Sequence, residues 1–226
     1  SWAAELAGQT ASALDVQART RFNEANDSHY YLVPGVIVTI MTMIGALLTS
    51  LVMAREYERG TLESLFVTPV GSGEILTAKA ATNFLLGMVS LAISMVFAAF
   101  VFDIPIRGSL LLLLAVSALF LIVALGLGLV ISTATKNQFL ACQFAIMGTF
   151  MPALMLSGFL YDILNMPPAV RAVTYLIPAR YYVTLLQTLF LAGDIPSVII
   201  PCCITLGVFA VVLMSIARLK APKSLE

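Results

Sequence analysis

Long uncharged runs of hydrophobic residues, separated by short charged connections, divide the chain into blocks. Each run exceeds the about 20 residues that an α-helix needs to cross a ~30 Å hydrocarbon core. Strands of a membrane barrel would be about ten residues long and would alternate apolar with polar side chains. The runs instead predict an all-α, polytopic transmembrane helical bundle. Its five spans are predicted at Val33–Ala54, Ala80–Phe102, Ser109–Ile131, Phe139–Leu160 and Ser197–Ala217.

A further uncharged run, Tyr181–Gly193, is too short to cross a membrane as a helix. Pro178 suits the first turn of a helix, and Gly193 suits its end. Tyrosines lie close to the start of this run, and tyrosine is enriched where proteins meet lipid headgroups. The pattern predicts a short helix before the last span that either lies at the interface or re-enters the bilayer.

The composition also indicates a membrane protein, because 60% of the 226 residues are hydrophobic and 11% are charged. A soluble domain carries roughly 25% charged residues, so this chain lacks the polar surface to coat a water-soluble globule. That excludes an ordinary cytosolic enzyme and a disordered protein. The formal net charge is zero, which leaves no basic surface for nucleic acid. Membrane lipid is the expected surrounding, and no nucleic-acid partner is expected.

The distribution of Lys and Arg predicts how the spans are oriented. Alternating connections place on one side Arg55, Arg59, Lys79, Lys136, Arg218, Lys220 and Lys223, and on the other Arg19, Arg21, Arg107, Arg171 and Arg180. The larger set favours the first side as cytoplasmic, which puts the C-terminus inside. The outward start needs an upstream segment to translocate it, and the chain begins with Ser1 without a signal peptide. We therefore expect a further span upstream, with residues 1–30 as the remainder of an extracytoplasmic domain.

The most polar connection, Arg55–Lys79, contains a short amphipathic pattern. Leu62, Leu65 and Phe66 recur at i, i+3 and i+4, which gives one apolar helical face. A threonine before this pattern can cap the helix, and a proline after it can end the helix. The segment is either an interfacial helix resting on lipid headgroups or a docking element whose apolar anchors fill a partner's groove.

Four segments carry a family resemblance: Arg55–Glu63 (REYERGTLE) with Thr68-Pro69 after it, Ile131–Phe139 (ISTATKNQF), Met155–Phe159 (MLSGF) and Ala172–Tyr182 (AVTYLIPARYY). In these segments the chain resembles the ABC-2 type permeases, which are the membrane subunits of type-2 ABC transporters. The resemblance covers about Asp15–Lys220 and is closest to bacterial multidrug-export permeases.

The resemblance implies six spans in the intact subunit, so that the five here are the second to sixth and residues 31–226 form the permease domain. It implies that Arg55–Pro69 is a cytoplasmic coupling helix in a cleft of a separate ATPase subunit. That subunit would bind ATP and Mg²⁺, and this chain would bind no cofactor. Two permeases, identical or related, would pair around a pathway in the bacterial inner membrane, above two ATPase subunits. The expected coupling residues are Glu56, Glu58, Arg59, Gly60, Thr61, Leu62, Glu63, Leu65, Phe66 and Pro69.

Polar residues and one proline inside the spans are candidates for a transport pathway. Asn, Gln, Thr and Ser within a span tend to face another helix or a pathway, and an internal proline kinks a helix. The candidates are Asn83, Gln143, Thr149, Pro152 and Ser157. The spans also carry many methionines, which either fill space or pack around varied apolar ligands.

Small residues recur at four-residue intervals in the third span, at Ala124, Gly128 and Ser132. Such a ridge lets another helix approach closely. Packing within this chain is favoured over a contact between subunits.

Sequence motifs for catalysis and nucleotide binding are absent. The sequence has no G-x-x-x-x-G-K-[ST], and one histidine is too few for a zinc site or a Ser-His-Asp triad within the membrane. The predicted spans contain no Asp, Glu, Lys or Arg, whereas ion-coupled carriers usually bury a carboxylate.

The predicted function is therefore a non-catalytic permease subunit of an ATP-driven efflux transporter, and the resemblance suggests drugs or amphipathic, lipid-like molecules as substrates. The main alternative is an ion-coupled secondary transporter or channel. A membrane scaffold comes next, and an intramembrane enzyme is the least favoured.

Overall fold

The computed structural model describes residues 29–59, 72–102, 104, 107–161 and 163–220, with the backbone alone for 29–31, 72–76 and 164. These residues form helices and connections, without strands, and five of the helices are long and apolar enough to cross a membrane. The predicted all-α bundle with five spans is thereby confirmed. The spans are Leu32–Glu58, Thr77–Phe100, Leu110–Thr135, Gln138–Leu156 and Pro196–Lys220, called the first to fifth span below.

Some spans are built from more than one helical segment. The first contains His29–Thr42, a π-helix at Met43–Leu48, and Thr49–Glu58. The second lies in helix Ser72–Phe100, and the third is helix Leu110–Thr135. The fourth contains Gln138–Ala145, a π-helix at Ile146–Phe150, and Met151–Leu156, and the fifth is helix Pro196–Lys220.

The chain between the fourth and fifth spans forms a hairpin of short helices, which we call the re-entrant hairpin. Its segments are the 3₁₀ turn Ile163–Asn165, the helices Pro168–Thr174 and Pro178–Gln187, and the π-helix Thr188–Ala192. At its tip, Pro178 lines a cavity together with Thr42, Ala124 and Thr149, which lie near the middle of the first, third and fourth spans.

The second half of the re-entrant hairpin is buried in the bundle. Tyr182, Leu185, Leu186, Leu189 and Phe190 are fully buried. The Tyr182 hydroxyl donates to Ser117 Oγ at 2.8 Å, and its ring stacks on Phe120 with 4.2 Å between centroids. A helix lying on the lipid surface would leave one face exposed. Of the two predicted arrangements, the structure therefore has the re-entrant one.

The predicted span boundaries differ from the structure by one to four residues, and the largest differences are at the ends of the first, third and fourth spans. The first span extends beyond Ala54 to Glu58, because charged side chains in its last turn find partners on neighbouring helices. The fourth span ends at Leu156, one turn before the predicted Leu160. Gly158 has a φ of +88°, and this left-handed conformation cannot continue an α-helix.

The ridge of small residues on the third span packs against the first span. A Cβ atom added to Gly128 would lie 2.6 Å from the carbonyl oxygen of Ala46, and one added to Gly45 would lie 2.4 Å from the Cβ of Ala124. The two backbones can approach this closely only because both positions lack side chains. The prediction that this ridge serves packing within the chain is confirmed.

Candidate functional site

Three helix ends meet at one end of the bundle, which we call the charged end. The last turn of the first span contributes Glu56, and the start of the second span contributes Lys79. The Glu56 Oε1 and Lys79 Nζ atoms are 2.5 Å apart, with both side chains about one-quarter exposed (23% and 30%). The pair links the end of the first span to the start of the second.

A second set of contacts at the charged end joins the first span to the fourth. The Nε of Arg55 donates to Gln138 Oε1 at 3.1 Å, and the backbone N–H of Gln138 donates to Glu58 Oε2 at 2.9 Å. Gln138 is the first residue of the fourth span. Gln138 therefore makes two hydrogen bonds to the last turn of the first span, and Ser50 Oγ adds a buried third between the two spans by donating to the Ala141 carbonyl oxygen at 3.1 Å.

The connection that brings Gln138 to this position is a tight turn. Lys136 ends the third span in the left-handed conformation, with a φ of 50°. The side chain of Asn137 then caps the fourth span by accepting from the N–H groups of Phe139 and Leu140. This turn fixes the start of the fourth span beside the end of the first.

The predicted coupling residues divide into two groups. Glu56 and Glu58 contact neighbouring helices of the same chain, and Arg59 is exposed at the end of its helix. The remaining coupling residues lie outside the described residues: Gly60, Thr61, Leu62, Glu63, Leu65, Phe66 and Pro69. Arg55 to Glu58, predicted as the start of the coupling helix, form the last turn of the first span.

Sequence reasoning did not single out Lys79 and Gln138 as partners of the Arg55–Glu58 turn. Gln138 lies 83 residues after Arg55, and Lys79 lies 23 residues after Glu56. Lys79 could have been proposed as a partner from the sequence, because it is a charged residue between two predicted spans. No local pattern indicates a partner for Gln138.

Methionines line a cavity on the half of the fourth span that lies away from the charged end. This cavity, which we call the methionine cavity, has a volume of about 580 Å³. Met147, Met151 and Met155 line one side, and the start of the re-entrant hairpin lines the other, with Pro167 and Val170. The volume falls within the range of about 300–1,000 Å³ that is usual for small-molecule sites.

Two predicted pathway residues, Thr149 and Pro152, lie where the fourth span contacts the hairpin tip. Both line the cavity of about 90 Å³ at this tip, and Pro152 also lines the methionine cavity. The Thr149 hydroxyl donates to the carbonyl oxygen of Ala145. Pro152 lacks an N–H group, and the helix before it widens into the π-helix Ile146–Phe150.

The other three predicted pathway residues lie apart from these cavities. Asn83 is buried between two spans, and its amide donates to Thr49 Oγ1 at 3.1 Å. Gln143 is exposed on the fourth span. Ser157 is buried at the end of that span, and its hydroxyl has no hydrogen-bond partner among the described residues. The structure thus brings Thr149 and Pro152 together and leaves Asn83 as a link between helices.

Among the described residues, no group of three or more His, Cys, Asp or Glu side chains is placed to hold a metal ion. The thiols of Cys142, Cys202 and Cys203 are free.

Comparison with known proteins gives one family and several relatives. The family described as "ABC-2 family transporter protein" matches residues 3–219. The chain is 48% identical over 224 residues to the probable multidrug ABC transporter permease YbhS of Escherichia coli K12, covering 99% of the chain and 59% of that protein. It is 30% identical over 180 residues to the probable multidrug ABC transporter permease YbhR of the same organism, covering 78% of the chain and 48% of that protein.

A third relative is the inner membrane transport permease YhhJ of Escherichia coli K12, 27% identical over 226 residues. That match covers 100% of the chain and 60% of YhhJ. The chain therefore spans between 48% and 60% of the length of these three relatives.

Proposed function

Because the chain belongs to the ABC-2 transporter family, we propose that it is the membrane-spanning part of a permease subunit in an ATP-driven efflux transporter. The observation that carries the proposal is the family match over residues 3–219, which coincides with the five spans. Relatives called multidrug permeases support drugs or amphipathic molecules as substrates, and a relative called an inner membrane permease supports that location. The permease itself is non-catalytic.

The energy for transport comes from separate ATPase subunits, which bind ATP and Mg²⁺ on the cytoplasmic side. The segment after Arg59 docks on such a subunit, with Leu62, Leu65 and Phe66 as apolar anchors. This proposal is supported by the position of the segment, which follows directly on the charged end. Movement of the segment would pull on the last turn of the first span.

The hydrogen bonds of Gln138 offer a route for that movement into the pathway. Arg55 and Glu58 both contact this residue, and it begins the span that carries Thr149 and Pro152. Helices move as rigid units unless a local irregularity absorbs the displacement. The π-helix before Pro152 is such an irregularity, so it is the place where the outer half of the fourth span changes its angle.

The methionine cavity is the substrate site in this proposal. Its apolar lining and flexible side chains suit amphipathic molecules of varied shape. A second permease subunit completes the pathway by covering the exposed apolar face of the fourth span. This face carries four large apolar side chains that are between 49% and 76% exposed: Phe139, Phe144, Met147 and Met151.

The decisive experiment uses the intact subunit purified from its native membrane with its partners and returned to liposomes. We expect a P-loop ATPase to co-purify, and we expect Leu65→Asp or Phe66→Asp to abolish both ATPase capture and ATP-dependent drug export. A carboxylate in an apolar groove is costly because it loses hydration without gaining a partner.

Leu219→Asp is the matched control, because Leu219 is 73% exposed in the last turn of the fifth span. That variant should retain both activities. The proposal fails if Leu65→Asp keeps substrate-stimulated ATP hydrolysis. If the subunit purifies alone and still moves solutes in liposomes, it is an ion-coupled carrier or channel instead.

A further inference from the structure

Arg180 is a half-buried cation next to the tip of the re-entrant hairpin. Pro178, two residues before it, lines the cavity at the hairpin tip with residues from the middle of three spans. The ring of Tyr181, the next residue, has its centroid 6.3 Å from that of Phe209, near the middle of the fifth span. Charged side chains are rare at such depth because they lose hydration, and those that occur mark functional sites by default. The sequence pattern had placed Arg180 in an outer connection.

The Arg180 guanidinium is fixed in orientation by its neighbours. It donates through Nη1 to the hydroxyl of Thr174, a fully buried residue. Its Cζ lies 4.0 Å from the centroid of the Tyr175 ring, which is a cation–π contact. The Tyr181 hydroxyl donates to the Tyr175 carbonyl oxygen at 3.0 Å and so fixes the backbone below the ring. The side chain is therefore held against the hairpin by Thr174 and Tyr175.

The described residues do not neutralise this charge. The carboxylates whose side chains the structure describes are Glu56 and Glu58, at the charged end, and Asp194, which accepts from the N–H of Ser109. The one ion pair among the described residues joins Glu56 to Lys79. Arg180 also lies in the first turn of helix Pro178–Gln187, where the helix dipole adds positive potential.

The guanidinium retains hydrogen-bonding capacity and can be reached from the membrane. An arginine side chain has five N–H donors, and the described residues accept one of them, at Thr174. Val173, Tyr175 and Leu176 beside it are each more than half exposed. The planar fork of a guanidinium matches the paired oxygens of a phosphate group.

We propose that Arg180, positioned by Thr174 and Tyr175, binds the phosphate-type oxyanion of an anionic amphiphile in the outer half of the membrane. The apolar residues at the hairpin tip contact its hydrocarbon chains. The site does not depend on which solute the transporter exports, because it rests on the geometry of the hairpin alone.

The test is a binding measurement on the intact subunit, purified in an uncharged maltoside detergent. Native mass spectrometry follows titration with short-chain phosphatidylglycerol, with a diacylglycerol of the same chain length, and with inorganic phosphate. We expect phosphatidylglycerol to bind and diacylglycerol not to bind. Arg180→Gln should lower the affinity about tenfold to a hundredfold, as for loss of a hydrogen bond to a charged group. The affinity of Arg180→Lys for phosphatidylglycerol should lie between those of the wild type and Arg180→Gln.

Arg171→Gln is the matched control, because Arg171 is an exposed arginine on the preceding hairpin helix. This variant should bind phosphatidylglycerol like the wild type. Tyr175→Leu keeps the charge and removes the ring, so it should weaken binding several-fold and provides a second test if Arg180→Gln does not fold.

The arms of the titration identify the source of the oxyanion. Much tighter binding of phosphatidylglycerol than of inorganic phosphate supports a lipid headgroup, and equal binding supports a free oxyanion at the same residues. The proposal is overturned if Arg180→Gln binds phosphatidylglycerol like the wild type, or if Arg171→Gln loses as much affinity.

Discussion

At the residue scale, the main role of the Glu56–Lys79 ion pair is to hold the first and second spans together, and its contribution to stability is small. Both side chains are partly in solvent, and such pairs typically contribute about 0.2–1 kcal/mol. The pair joins the first and second spans beside the proposed coupling segment. Its contribution should therefore appear in how movement is transmitted between the spans.

We expect Glu56→Gln and Lys79→Met each to lower drug export per ATP hydrolysed several-fold, with a change in the free energy of unfolding below about 1 kcal/mol. The reversed pair, Glu56→Lys with Lys79→Glu, should recover most of the export because it restores the attraction. A double-mutant cycle on reconstituted transporter measures the coupling between the two residues. Equal defects in the reversed pair and in the single variants would mean that the ion pair has no such role.

At the element scale, the third span is the centre of the packing. It contacts the first, second and fifth spans, and its buried residues run from Leu113 to Thr133. Close approach depends on the missing side chain of Gly128, which lies against the backbone of the first span. A backbone atom cannot rotate away as a flexible side chain can, so an added methyl group forces the helices apart.

Gly128→Ala should therefore destabilise the subunit by about 1–3 kcal/mol and lower its melting temperature. Gly207→Ala is the matched variant, because a Cβ at Gly207 in the fifth span meets nothing within 4 Å. It should be neutral or should stabilise by up to about 1 kcal/mol, since alanine loses less backbone entropy than glycine in a helix. Similar Tm values for the two variants would contradict the packing argument.

At the scale of the whole molecule, the two ends of the bundle differ in what holds them. Ionic and polar contacts tie three helix ends together at the charged end. The opposite half contains the re-entrant hairpin and the methionine cavity, where contacts are mostly apolar and space remains. The fourth span belongs to both halves, with Gln138 at one end and Met151 and Pro152 toward the other.

Filling the methionine cavity should block transport without disturbing assembly. We expect Met151→Trp to lower drug export at least several-fold, because the indole occupies space between the fourth span and the hairpin. Val211→Trp is the control on the fifth span, where Val211 is 69% exposed and lines none of the described cavities. Export is measured in proteoliposomes, and ATPase capture checks assembly. Unchanged export by Met151→Trp would exclude the cavity as the substrate site.

The hydrophobic pattern determined the five spans and the existence of a short helix before the last one. These features are local, because the thickness of the bilayer sets how long an uncharged run must be. The ridge at Ala124 and Gly128 could also be predicted from the sequence, because small residues repeated every four positions lie on one face of a helix. The family resemblance could be seen in short sequence segments, and the family match extends over residues 3–219.

Only the tertiary structure decided which residues meet. Glu56 contacts Lys79, Arg55 contacts Gln138 and the hairpin tip reaches mid-span residues, although no periodicity relates these positions in the sequence. The depth of Arg180 was also decided by the tertiary structure, because a helix of ten residues can lie on a bilayer or enter it with the same composition. Side chains far apart in the chain are brought together by how the helices pack, and that depends on the shapes of all the surfaces at once.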